Sequence, residues 1–190
     1  IEEVLGISAV SLVNMQTQYE YDMKVIEQRG VEELEAQNTL SLYNEIFDVK
    51  TLFKRIGKES YTAVQQMQYI TENLCLPKPA ELKLETSGMF RKSAKTGQDP
   101  RMLMTWRLLA ELNAKGQKVS QPFNHERRNE VVSALVRALH DNRSTENTVK
   151  EILATEGIAF CIEEKVDKAS VDGYSYIEDG TPYIICWYLS

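Results

Sequence analysis

Apolar side chains recur at every third or fourth position over most of the first 155 residues, a spacing typical of amphipathic α-helices. Ser8 is a favourable N-cap for the first of them, and Gly30 is a helix stop signal. We therefore predict a helix over residues 8–30 and a second helical stretch over about 32–47. The apolar and aromatic positions of the first helix are Leu12, Met15, Tyr19, Met23 and Ile26.

Five further helices are predicted downstream from their N-cap residues and stop signals. They begin at about Asp48, Ser60, Asp99, Asn124 and Thr145. Residues 77–98 contain two Pro and two Gly, so we predict that they form an irregular segment or linker. This segment is the best candidate for a domain boundary.

Two of the predicted helices are expected to supply much of the core. The helix after Asp99 has apolar residues at helical spacing, namely Leu103, Trp106, Leu109 and Ala110. The spacing indicates that Trp106 belongs to the core rather than to a ligand pocket. In the helix after Asn124, an apolar face of the width needed for core packing is formed by Val131, Val132, Leu135, Val136 and Leu139.

After Gly157 the apolar period changes from about 3.6 to 2, which indicates β-strands. We predict strands at about 158–162, 173–177 and 183–188, with a tight turn at Asp179-Gly180. The last strand is apolar on both faces, which is typical of a strand covered on both sides. The predicted fold class is therefore mainly α with a small C-terminal β-sheet (α+β), and part of that cover is expected to lie outside this chain.

Composition limits the function classes. The net charge of −6 disfavours tight nucleic-acid binding by the whole chain, although the charge is unevenly distributed. Residues 1–48 hold ten Asp or Glu and two Lys or Arg, whereas residues 78–118 hold nine Lys or Arg and four Asp or Glu. Three widely spaced cysteines indicate reduced thiols, and the longest apolar run is far shorter than the roughly 20 residues of a membrane span. We expect a cytoplasmic protein without a membrane partner.

No complete catalytic motif is present. The segment His125-Glu126-Arg127-Arg128-Asn129 is similar to the H-E-x-x-H zinc motif, but Asn129 stands where the second histidine is required. There is no G-x-S-x-G motif and no glycine-rich phosphate loop. We predict no catalytic residue, no metal ligand and no cofactor site in this chain.

A basic segment is the remaining candidate site. Four cations lie close together in and after a loop that also contains Phe90, namely Arg91, Lys92, Lys95 and Arg101. They could contact a phosphate backbone or a protein partner. The alternative is that these side chains anchor the loop or pair with the acidic part of the chain.

Residues near the start of the chain resemble a known family. Leu5-Gly6-Ile7-Ser8-Ala9 is followed by further residues of the same pattern, namely Leu12, Asn14, Gln16, Gln18, Tyr19 and Glu20. Over about twenty residues this resembles the end of the DNA-binding domain of HigA-type plasmid-maintenance antidotes. In that family a helix-turn-helix precedes this stretch, so the resemblance implies a recognition helix upstream and operator DNA as a partner.

The last forty residues resemble a second family. The stretch from Val149 through Gly157-Ile158 and Asp172-Gly173 to Gly180-Thr181-Pro182-Tyr183-Ile184-Ile185 looks like the opening of an ImmA/IrrE-type metallopeptidase-like domain. In such domains an H-E-x-x-H helix follows. The resemblance transfers no metal ligand to this chain, and any zinc would belong to the full-length protein.

Together the resemblances imply a transcriptional regulator of the toxin–antitoxin or plasmid-maintenance type, of which this chain is the central piece. Residues 1–30 would end the helix-turn-helix domain, 31–145 would form a helical connector, and 146–190 would open the peptidase-like domain. The alternative is a non-catalytic helical interaction module that binds a basic partner, such as a toxin, through its acidic N-terminal half. The sequence leaves open the oligomeric state and whether the parent is an active peptidase.

Overall fold

The structure is a computed structural model that describes Gly6 and residues 8–82, 89–91, 99–141 and 146–187; for residues 89–91 it describes the backbone alone. The described residues form six α-helices and four β-strands. The helices are α1 (Ala9–Asn44), α2 (Val49–Arg55), α3 (Ala63–Glu72), α4 (Pro100–Ala114), α5 (Arg128–His140) and α6 (Glu146–Thr155). The strands are β1 (Met89–Arg91), β2 (Ala159–Glu163), β3 (Gly173–Glu178) and β4 (Thr181–Trp187), and short 3-10 turns occupy Pro79–Glu81 and His125–Arg127. The predicted fold class, mainly α with a small C-terminal sheet, is confirmed.

The helix α1 passes through Gly30 without a break, so the prediction of a stop at this residue was wrong. A glycine that ends a helix normally adopts a positive φ, which Gly57 and Gly157 do and Gly30 does not. An interior glycine costs only about 0.5–1 kcal/mol relative to alanine, which good helix formers on both sides can offset. The side chain of Gln28 also donates to Glu32 across the glycine, at 3.1 Å.

The C-terminal quarter of α1 is packed into the helical body. Its buried residues are Ala36, Leu40 and Tyr43, and they join a core that includes Phe47, Leu52, Phe53, Ile70 and Trp106. The Tyr43 hydroxyl donates to the Pro77 carbonyl at 2.7 Å. The Glu33 carboxylate accepts from the backbone N–H of Ala63 at 2.8 Å and therefore caps the start of α3. The body thus holds α1 from Glu33 onwards.

A buried hydroxyl joins α4 to the start of α2. Thr105 is fully buried; its Oγ1 donates to the Arg101 carbonyl and accepts from the Asp48 N–H, both at 2.8 Å. The Asp48 side chain in turn accepts from Thr51 N–H and caps α2, as its sequence position predicted. Trp106 beside it is fully buried in the core, which confirms the prediction for this residue.

The sheet has the strand order β1-β3-β4-β2. β3 pairs antiparallel with β1 and β4, whereas β2 and β4 are parallel. The hairpin between β3 and β4 turns at Asp179 and Gly180, both with positive φ, as the Asp-Gly pair predicted. The segment 77–98 was predicted to be irregular, but Met89–Arg91 form a sheet strand because the open edge of β3 offers them backbone partners. Residues 83–88 and 92–98 lie outside the described part.

β4 lies between β3 and β2 in this sheet. Helices cover both faces of the sheet, as the apolar residues on both faces of β4 predicted. On one face Ile185, Tyr183 and Trp187 pack against the core that contains α4. On the other face Ile184 and Cys186 pack against a smaller cluster made by β2, α5 and α6, with Val131, Leu153, Ile158 and Phe160. The other residues of β4 remain partly exposed, whereas Ile185 is fully buried.

The predicted core face of α5 is only partly buried. Val131 is buried and Leu135 packs beside it, but Val132, Val136 and Leu139 are exposed, contrary to the prediction. The apolar stripe of α5 is wider than the surface that its neighbour α6 offers, so only one edge of the stripe is covered.

Candidate functional site

The first 22 residues of α1, Ala9 to Gly30, form an exposed segment that we call the arm. None of its side chains is buried, and Leu12 and Val25 alone are partly covered. At a rise of 1.5 Å per residue the arm is about 33 Å long. The arm therefore presents a long helical surface, while the rest of α1 is fixed in the body.

The arm is stabilised as a helix by local interactions. Ser8 caps its start, with its hydroxyl accepting from Ser11 N–H at 3.1 Å. Gln16 donates to Glu20 at 2.7 Å, and Gln18 donates to Asp22 at 2.8 Å, both one turn along the helix. Such pairs contribute about 0.2–0.5 kcal/mol each to a solvated helix.

One side of the arm carries a continuous apolar stripe, defined by Leu12, Met15, Tyr19, Met23 and Ile26. At 100° per residue these five positions lie within about 40° of Tyr19 around the helix axis. Met15, Tyr19, Met23 and Ile26 are 62%, 60%, 48% and 63% exposed. The stripe points about 60–120° away from the side of α1 that packs in the body at Ala36, Leu40 and Tyr43. The body therefore leaves it open.

The sequence identified the stripe positions but not their exposure. A signal was available, because large apolar residues also occur elsewhere around the arm, at Val10, Val13 and Tyr21. These three are 63–69% exposed. A helix that packs one face on a core normally keeps the opposite face polar. Apolar residues on several sides indicate a helix with no single core-facing side.

Arg101 is the one predicted basic contact residue whose side chain the structure describes, so the contact role of the four residues stays a prediction. The Arg101 guanidinium donates to Asn44 at 3.2 Å and pairs with Asp48 at 3.4 Å. It therefore ties α4 to the junction of α1 and α2, in agreement with the alternative that these cations pair with the acidic part of the chain. The backbone of Arg91 pairs with Gly173 in β1, at the edge of the sheet. Lys92 and Lys95 lie outside the described residues.

A polar cluster lies between α4 and the sheet. Arg107 pairs with Glu111 at 2.7 Å, and the Tyr174 hydroxyl donates to the same carboxylate at 2.9 Å. Burial, followed by the Glu111 charge, raises the pKa of Tyr174 above its usual value. Tyr176 and Tyr183 stack 4.7 Å apart next to it. The Glu111 carboxylate thus joins Arg107 of α4 to Tyr174 of β3, which is the geometry of a structural contact.

Glu163 occupies the joint between the helical body and β2. Its carboxylate accepts from the Asn113 side chain at 3.2 Å and lies 3.8 Å from the Arg55 guanidinium. Burial raises the pKa of Glu163 above its ordinary value, and Asn113 and Arg55 oppose this rise. The two partners thus offset only part of the cost of desolvating the charged form.

The described residues contain no group of three His, Cys, Asp or Glu side chains close enough to hold a metal ion. His125 begins a 3-10 turn and His140 ends α5. Burial raises the pKa of the Cys161 thiol to about 12, so this thiol stays protonated at neutral pH. Although α1 has 36 residues, no helix in the described part combines the length and apolar content that a membrane crossing requires.

Comparison with known proteins found no family model, no curated protein and no solved structure that matches this chain.

Proposed function

We propose that this chain is the non-catalytic linking element of an antidote-type transcriptional regulator. In this proposal the arm connects an upstream helix-turn-helix domain of the HigA type, which binds operator DNA, to the helical body. Residues 146–190 would open an ImmA/IrrE-type metallopeptidase-like domain, and any zinc would be bound downstream of them. The proposal rests on the two sequence resemblances together with the geometry of α1.

The observation that carries the proposal is the continuity of α1. One helix runs from the arm into the core, where Leu40 and Tyr43 are buried. Glu33 and Tyr43 fix it further through hydrogen bonds to Ala63 and Pro77. A helix held in this way transmits a change in the direction of the body to whatever is attached to its far end. The link between α1 and the sheet passes through the same core, since Leu40, Trp106 and Ile185 all belong to it.

The proposed mechanism is a change of spacing and orientation between the two ends. A ligand that alters the packing of the sheet against α4 would move the body relative to the arm and thereby alter operator binding. By linkage, operator binding would alter the affinity for that ligand by the same factor.

The test uses the full-length gene product with residues inserted after Gly30, between the stripe and the residue Glu33 that anchors α1. Two inserted alanines rotate the arm by about 200°, whereas seven rotate it by about 700° and so restore its direction to within about 20°. We expect the two-residue insertion to change repression of an operator reporter by at least about tenfold and the seven-residue insertion to change it much less. Equal repression by both variants would argue against a rigid link.

The DNA sequence on either side provides a second, independent test. The proposal requires a helix-turn-helix upstream and an H-E-x-x-H helix downstream in the same reading frame. A gene that has neither removes its basis.

A second candidate is an interaction module for a basic protein partner, such as a toxin. It is favoured by the negative charge of the arm and of the helical turn that follows it in α1. Residues 9–35 hold six Asp or Glu and two Lys or Arg. The carboxylate-bearing residues Glu20, Asp22 and Glu27 are all exposed. The test measures the association rate of this chain with a basic product of a neighbouring gene at low and high salt. A steep fall in rate with salt supports this candidate, whereas a salt-independent rate opposes it.

A further inference from the structure

The spacing of the stripe is symmetric about its central residue. From Leu12 to Ile26 the intervals are 3, 4, 4 and 3 residues, with Tyr19 in the middle. The arm itself has nearly the same centre, since its cap Ser8 and its last residue Gly30 lie eleven residues on either side of Tyr19. A two-fold interface requires that residue i meets residue j and that j meets i. This spacing meets that requirement for two antiparallel arms.

We propose that the arm is a self-association surface, on which a second copy of this chain docks antiparallel with Tyr19 at the two-fold axis. In this pairing Leu12 meets the partner's Ile26, and Met15 meets the partner's Met23. The two Tyr19 rings meet at the centre, and Ser8 lies opposite the partner's Gly30, where both residues are small. The inference goes beyond the proposed linking role, which does not require two copies.

The acidic segment that begins at Glu32 favours the antiparallel orientation. In a parallel pair the two bodies would lie at the same end, which would bring the acidic segments of the two copies close together. Like charges that lie close together are destabilising. In the antiparallel pair the acidic segment from Glu32 onwards is separated from its copy, because the two bodies lie at opposite ends.

The apolar area is sufficient for a weak but specific dimer. Each of the five stripe side chains would remove on the order of 100 Å² from water, which gives about 500 Å² per arm and about 1,000 Å² per pair. This total is at the lower limit for a specific protein interface. We therefore expect a dimer that dissociates at micromolar concentration rather than an obligate one.

The first experiment measures the mass of the 190-residue chain by sedimentation equilibrium over a concentration series. We expect a mass that rises from 21.8 kDa towards twice that value. Tyr19→Glu should weaken the dimer by at least about tenfold, because it places a charge at the centre of the interface. The matched control is Tyr21→Glu, since Tyr21 is 63% exposed against 60% for Tyr19 and lies about 200° away around the same helix. The control should change the dissociation constant less than about twofold.

The second experiment determines the orientation in a Cys75→Ser background, which removes the exposed native thiol. Leu12→Cys and Ile26→Cys proteins are mixed and oxidised mildly. The antiparallel dimer predicts a covalent species between the two variants and little between copies of one variant, whose thiols would lie about 21 Å apart along the axis.

Three results would overturn the inference. They are a monomer at all concentrations, equal effects of Tyr19→Glu and Tyr21→Glu, and covalent dimers formed by each cysteine variant alone. None of these results bears on the insertion test of the linking role, because the inserted residues lie outside the stripe.

Discussion

At the scale of single residues, Gly157 both ends a helix and permits a close contact with a segment that is distant in the sequence. The sequence marks it as the stop of α6, and its φ of +77° agrees with that role. The structure adds that a Cβ at this position would lie 2.5 Å from the Gln121 carbonyl oxygen and 2.5 Å from the Phe123 backbone nitrogen. The segment that leads to α5 therefore passes directly against the α6–β2 turn, and glycine is needed there for both reasons.

We predict that Gly157→Ala lowers the free energy of unfolding by at least about 3 kcal/mol, because it combines a left-handed backbone with a backbone clash. The matched control is Gly180→Ala in the β3–β4 turn, where φ is +78° and no atom lies within 4 Å of the added Cβ. The control should cost about 1–2 kcal/mol, from the backbone conformation alone. Urea denaturation of both variants measures the difference, and equal costs would show that the clash at Gly157 is relieved.

At the scale of elements, the prediction that the first helix ends at Gly30 was wrong for an identifiable reason. Glycine is a common helix-end signal, but it ends a helix only where the chain needs a positive φ. The fixed C-terminal part of α1 and the local pairs on both sides of Gly30 keep it helical instead. β1 illustrates the opposite case, because Met89–Arg91 have no strand pattern of their own and become a strand by pairing with β3.

We predict that Gly30→Ala strengthens the helix, since the glycine has ordinary helical geometry and open space around it. A gain of about 0.5–1 kcal/mol corresponds to amide exchange in the neighbouring turns that is about two- to fivefold slower. Gly57→Ala is the contrasting control, because Gly57 ends α2 with a φ of +70° and should lose stability on the same change. Faster exchange in the Gly30→Ala arm would indicate that the helix does break at this residue.

At the scale of the whole molecule, the helical body and the sheet share one core, and the charged joint at Glu163 lies on its border. Glu163 belongs to β2, while its partners Asn113 and Arg55 belong to α4 and α2. Arg55 also pairs at 2.7 Å with the exposed Glu164. The joint therefore connects three elements that are distant in the sequence.

The raised pKa of Glu163 predicts a pH dependence with a definite sign. Because the folded state binds this proton more tightly than the unfolded state, the resulting stabilisation is complete below the ordinary value of 4.5. It is lost as the pH rises through the raised pKa. We expect the free energy of unfolding of the natural chain, relative to a Glu163→Gln variant, to fall between acidic and neutral pH.

Urea denaturation at several pH values measures this difference. At neutral pH the Glu163→Gln variant should be at least as stable as the natural chain, since its amide oxygen can still accept from Asn113 and no charge is buried. Glu151→Gln controls for the change in net charge, because Glu151 is exposed on α6 and takes no part in this joint. A stability difference that rises with pH would contradict the prediction.

The candidate site was only half predictable from the sequence. Periodicity gave the stripe residues from Leu12 to Ile26 as one side of a helix, which depends on local geometry alone. Their exposure depends on how far the body reaches along α1, and that is decided by Ala36, Leu40 and Tyr43 packing on other elements. Arg101 was predicted as one of four basic contact residues, and its pairing with Asp48 joins two residues 53 positions apart, which local pattern cannot predict.

The sequence by itself determined the order of the helices, the change to strands after Gly157, the turn at Asp179-Gly180 and the fold class, because each follows from residue period or turn chemistry within a few positions. Only the tertiary structure decided that α1 is a single helix with a free arm, that Met89–Arg91 enter the sheet, and that most of the apolar face of α5 stays exposed. These outcomes depend on which surfaces are available to pack against, and that availability arises from contacts between distant parts of the chain.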